Sequence, residues 1–132
     1  MTYPVILTNL YYMLIHVDTR VNDKEVALGQ QMMKTEGILE TAFQAQIAAL
    51  PSQHLPKVLS ESVASLKKLD RDKQIRCIAW LCVIANSDGF MDRAEWQFIY
   101  AIYHKELQLP LDEIMRIQKD LNRREVSLPP SH

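Results

Sequence analysis

Apolar positions recur along this chain with the spacing of a helix, and two stretches are apolar nearly all the way round. The first, Ile6–Val17, predicts a central helix. The second, Cys77–Ala85, ends a helix that Asp70 is placed to cap. Between them, Asn22 with Glu25 has the spacing of a capping box and opens a helix through Val26, Met32 and Met33, which Gly37 ends. Leu39–Leu50 carries Leu39, Ala42, Phe43 and Ile47 on one stripe. Pro51 and Pro56 bracket a break, and Pro56 suits the first turn of a helix reaching Lys67-Lys68.

Beyond the second apolar stretch, a helix from Asp92 to about Glu106 turns Trp96, Ile99, Tyr100 and Tyr103 inward. Leu109-Pro110-Leu111 is a connector. Leu111–Arg124 forms the last amphipathic helix, with Ile114, Met115, Ile117 and Leu121 inward, and the tail 127–132 is expected to be loose. Three glycines leave little material for strands and tight turns. The expectation is all-α: a compact bundle of about seven helices, one domain over residues 1–132.

Advancing the chain by 70 residues (88 − 18) lays one helix–turn–helix unit on another without a gap. Leu10 meets Trp80, Leu14 meets Ile84, Asp18 meets Asp88 and Val21 meets Met91. Asn22 then meets Asp92, Glu25 meets Glu95, Val26 meets Trp96 and Met33 meets Tyr103. Two such hairpins can bury their apolar first helices against each other about a pseudo-twofold axis.

The pattern of the second unit is an apolar helix, Ala85-x-Ser87-Asp88-Gly89, an apolar residue, then Asp92-x-x-Glu95. It resembles the TerB-like domain of tellurite-resistance and stress proteins. The resemblance spans about residues 5–121; in the first turn it departs from the pattern, with Thr19 in place of glycine and His16-Val17 in place of small residues. It implies a compact helical fold with two acidic turns and a divalent-ion site built from them. Carried over by position, that implicates Asp18, Glu25, Asp88 and Glu95 as ligands for Ca²⁺, Mg²⁺, Mn²⁺ or Zn²⁺. An ion bridging both turns would fix how the hairpins pack and alter an exposed surface. The implied role is a non-catalytic cytoplasmic module acting through a protein partner or self-association in a stress or tellurite response.

The same acids have a plainer reading. Asp88-Gly89 is a common turn dipeptide, and Asn22-x-x-Glu25 and Asp92-x-x-Glu95 both match capping boxes, with Arg20, Lys24 and Arg93 near enough to neutralise the aspartates. An EF-hand fails on spacing: with Glu95 as the twelfth loop position, the first falls on Ile84, and in the earlier unit on Leu14. Two alternatives stay open beside the partner-binding module, a small metal-dependent hydrolase using the same acids and a purely structural oligomerisation domain. Only His16 of the four histidines stands near an acidic turn, where it reads as a metal-shell candidate or a partly buried side chain.

Composition narrows the classes further. A formal net charge of −1 argues against nucleic-acid binding. Lys67-Lys68, Arg71, Lys73 and Arg76, diluted by Asp70 and Asp72, read as a solvated junction. Cys77 and Cys82 diverge on one helix, so they are expected as buried reduced thiols. Neither apolar stretch is long enough to cross a bilayer, and neither carries signal-peptide features. No catalytic motif or cofactor-binding loop is present.

Overall fold

The computed structural model describes residues 1–17, 21–87, 89 and 91–126. Among them are seven α-helices and no strand: α1 Tyr3–Ile15, α2 Asp23–Thr35, α3 Glu40–Ala49, α4 Leu55–Lys67, α5 Arg71–Ala85, α6 Arg93–Tyr100 and α7 Leu111–Val126. A 3₁₀ turn, Leu50–Ser52, follows α3, and α6 continues as a π-helical segment, Ala101–Glu106.

The ends of these helices follow from local chemistry. Asp70 accepts the Lys73 amide at 2.9 Å and starts α5. The chain leaves α2 through Gly37 at φ 71°, where a side chain would be strained. Pro4 and Pro56 sit in the first turns of α1 and α4, where no intrahelical donor is lost. Gln74 reaches back from α5 and donates its side-chain amide to the carbonyls of Leu66, Lys67 and Leu69, closing the last turn of α4.

The core is organised around α1 and α5. Every residue from Ile6 to Ile15 and from Cys77 to Ala85 is buried, and the two helices touch. The hairpins interlock, since α2 packs on α5 while α6 packs on both α5 and α1. Repeat-related positions share burial: Leu10 with Trp80, Leu14 with Ile84, Glu25 with Glu95, and Met33 with Tyr103. A shared core of this kind is what a duplicated hairpin with two apolar first helices produces. α3 and α4 then cover α1, and α7 covers α5.

A buried clamp sets the direction of the helices. Tyr3 of α1 and Arg76 of α5 both bond the carboxylate of Glu36, the residue that caps the end of α2. Beyond the clamp α5 lies wholly in the core beside α1 and α2, so α1 and α5 run the same way and α2 runs back against them. Ile15, Ala85 and Glu25 are 12, 9 and 11 residues from the clamp along their own helices, roughly 14–18 Å at 1.5 Å per residue. The Tyr11 hydroxyl on the Glu25 carbonyl ties the start of α2 to α1 well beyond the clamp.

Contacts inside α1 carry two further constraints. Asn9, fully buried, donates to Ser62 of α4 at 3.1 Å and accepts from Gln46 of α3 at 2.7 Å, tying three helices together. Gly29 of α2 lies against the Tyr11 ring, where a Cβ would fall 2.3 Å from ring atoms. That close approach lets the Tyr11 hydroxyl donate to the Glu25 carbonyl at 3.4 Å.

Several expected inward positions point out. Val26, Leu39, Ala42 and Met115 are exposed, whereas Phe43, Ile114 and Leu121 are buried as expected. α2, α3 and α7 each have a neighbour over a narrower arc than their apolar residues span. Gln118, not Met115, completes the buried side of α7.

Candidate functional site

Glu25 and Glu95 occupy the third position of α2 and of α6, and both are almost wholly buried, at 2% and 3% exposure. Glutamate is seldom so deep in a core, and an ionised carboxylate there needs donors or positive charge around it. Their placement follows from the repeat: they hold the same position in matching units, and in both that position faces the core.

The two units cap differently. In α2 the capping box is complete, the Glu25 amide donating to Asn22 Oδ1 at 2.8 Å and the Asn22 amide to Glu25 Oε1 at 3.3 Å. In α6, Asp92 accepts from the Ala94 amide at 3.0 Å, one residue short of the position a box requires. The expected second box is thus replaced by a shorter turn, because the Asp92 carboxylate is presented to the second amide of α6. Asp18 and Asp88, the remaining predicted ligands, and Arg20 lie outside the described residues. Among the described residues no group of three His, Cys, Asp or Glu side chains is close enough to hold a metal.

His16 is exposed, not partly buried. Its Nδ1 lies 2.8 Å from the Tyr12 carbonyl and its ring packs on the Tyr12 ring at 4.2 Å, so it turns back along its own helix. His104 stacks on Tyr100 at 4.6 Å. Tyr11 is held by Glu25 from the other side: burial, then the Glu25 charge, pushes its phenol up to about 12. Cys77 and Cys82 are free and buried, and burial raises both thiols, that of Cys82 to about 12, which keeps them protonated and unreactive at neutral pH.

The strongest polar cluster is one that local spacing does not reveal. Glu36, with a side chain 4% exposed, takes two 2.8 Å bonds from Arg76 Nε, a 2.6 Å contact from Arg76 Nη2 and a 3.1 Å bond from the Tyr3 hydroxyl. Burial alone would raise this carboxyl. The Arg76 hydrogen bonds, the nearby Trp80 indole and Tyr3 more than offset that and hold it below the ordinary carboxylate range. Arg76 is therefore a half-buried structural partner, not part of a solvated basic junction. Tyr3 and Arg76 stand 33 and 40 residues from Glu36, and no periodic pattern links such positions.

Clefts lie away from these acids. One of about 420 Å³ runs between α4 and the Phe98–Glu106 stretch, lined by Leu59, Val63, Ala101 and Ile102 with Lys67 and Lys105. Another lies between the end of α5 and α7. No helix among the described residues is long and apolar enough to cross a membrane.

Comparison with known proteins agrees with this architecture. Neither the curated proteins nor the solved structures contain a match to the chain. The family model described as "Tellurite resistance protein TerB" matches residues 5–119, from the first turn of α1 into α7. That span takes in both hairpins, both buried glutamates and the Glu36–Arg76 pair, and the chain belongs to the TerB family.

Proposed function

We propose that this TerB-family chain is a non-catalytic cytoplasmic module that binds a divalent cation at its two acidic turns and acts through a protein partner in a tellurite or stress response. The observation that carries the reading is the pair of buried carboxylates, Glu25 and Glu95, at matching positions of two hairpins. Support also comes from the repeat, which puts Asp18 and Asp88 seven residues before the two buried glutamates in the sequence. Asp18, Glu25, Asp88 and Glu95 would hold the ion. Bound there, it would supply positive charge to two carboxylates held away from solvent. An all-oxygen donor set suits Ca²⁺, Mg²⁺ or Mn²⁺ better than Zn²⁺.

The partner-binding half of the reading draws on the apolar groove between α4 and the π-helical segment. π-Helical turns often accompany functional surfaces. For the hydrolase alternative, His16 would have to serve as the titratable partner, and its ring is instead packed on Tyr12.

Isothermal titration with each of the four ions, paired with thermal melts, tests the cation. Saturable heat with a raised Tm, both absent in a Glu25→Gln/Glu95→Gln variant, is the expected result. No heat and no change in Tm at millimolar concentrations of all four ions would remove the ion from the function.

A further inference from the structure

The groove between α4 and the π-helical segment is apolar at one end and charged at the other. Leu59 and Phe98 pack on the same cluster around Tyr12 and Met13. At the far end Lys67, the last residue of α4, bonds Glu106, the last residue of the π-helical segment, at 3.0 Å. The two walls therefore run the same way and bring two carbonyl-rich helix ends to the charged end of the groove. Lys105 stands there as well, in no ion pair among the described residues. The small side chains of Ala64 and Ala101 leave the groove its depth, with a volume of about 420 Å³.

The outer side of α7 carries a matching surface. Leu111 and Met115, one turn apart, are 42% and 50% exposed. Asp112 shares that side, in the first turn of the helix, and is exposed and in no ion pair among the described residues. An apolar groove with a cation at its carbonyl end and an apolar helix face with an acid at its amide end are complementary when laid antiparallel. Apolar side chains then leave water, opposite charges meet, and the helix dipoles oppose one another favourably. We propose that α7 of a second copy of this chain docks in the groove, antiparallel to its two walls, with Met115 between Val63 and Ile102 and Asp112 on Lys105. Met115 stands three residues after Asp112, and Ile102 three before Lys105, so one register serves both contacts. Groove and α7 are different surfaces, so the contact is heterologous and each copy can give one and accept one. The inference rests on the reading of this groove as the partner surface, and it requires no cation.

Sedimentation of the full chain in EDTA, from micromolar to millimolar concentration, tests it. A weight-average mass that rises above the monomer's is expected. Met115→Glu and Ala64→Glu, both at exposed positions, should each weaken association by about tenfold or more while leaving Tm unchanged. Mixing these two variants is the sharpest arm. Each keeps one intact surface, so together they should form a 1:1 pair that neither forms alone. Lys105→Glu should weaken assembly, and Lys105→Glu/Asp112→Lys should restore it. A chain that stays monomeric throughout overturns the second copy as occupant and leaves the groove open to another protein. Assembly that survives Ala64→Glu overturns the groove as the partner surface and this inference with it. Assembly lost in both variants but not regained on mixing means that like surfaces meet, and it overturns the head-to-tail contact.

Discussion

The two poles of the bundle handle the same problem, a buried carboxylate, in different ways. At the clamp pole, Glu36 meets a guanidinium and a phenol from two other helices. At the opposite pole, Glu25 is bonded by a backbone amide of its own helix start and is in no ion pair among the described residues. One end is neutralised by side chains distant in sequence and is closed. The other is balanced by local helix geometry and keeps room in its electrostatics for an added positive charge. The clamp holds the start of α1, the end of α2 and the first half of α5 together; the acidic pole is where the proposed cation would act.

The largest effect should come from breaking the closed pole. Arg76→Met leaves Glu36 buried without its cation and should cost about 3–5 kcal/mol in urea denaturation, while Arg76→Met/Glu36→Leu should recover much of it. Acid should act on the same pair. Because the folded Glu36 carboxyl sits below its unfolded value, its contribution is present above the ordinary carboxylate range and is lost as pH falls through the lowered folded value. Stability measured from pH 6 down to pH 2 should therefore fall more steeply in the wild type than in Glu36→Gln. Equal slopes would show that the clamp carries no charge-dependent stability.

The next effect sharpens the contrast from the other side. A cation bound at the acidic pole at a hundred times its Kd should add about 2.7 kcal/mol to unfolding free energy. That increment should survive Arg76→Met, provided the variant is still folded at the titration temperature, and vanish in Glu25→Gln/Glu95→Gln. If Arg76→Met also abolishes it, the poles are coupled and the division drawn here is wrong.

How much of this was readable beforehand depends on the range of the interaction. Helix ends set by neighbours within four residues, such as the Asp70 cap and the Gly37 exit, were legible, as was the repeat that pairs Glu25 with Glu95. Their burial was not, because a third-position glutamate looks the same whether its turn faces solvent or the core. The exposure of Leu39 and Met115 escaped for a related reason: periodicity marks an apolar face but not how wide a neighbour covers it. Glu36 and Gln118 gave no signal, since their surroundings come from helices far apart in the chain. Asn9 was visible in principle, as an amide in the middle of a helix otherwise apolar on all sides.

The smallest effect concerns the caps of the acidic pole and tests whether the two hairpins are equivalent there. Asn22→Ala removes the acceptor for the Glu25 amide and should cost about 1 kcal/mol, as a lost N-cap usually does. It also breaks the reciprocal arrangement that holds the Glu25 carboxylate toward the Asn22 amide, so the carboxylate should become freer to turn. Asp92→Ala removes a single bond to Ala94 and leaves the Glu95 backbone amide untouched by it. Its cost should be similar or smaller, and cation affinity should change less than in Asn22→Ala. Urea melts with and without the cation separate the two effects. If Asp92→Ala proves the more damaging to binding, the second turn dominates the acidic pole, and the apparent symmetry of the buried glutamates hides an unequal division of labour.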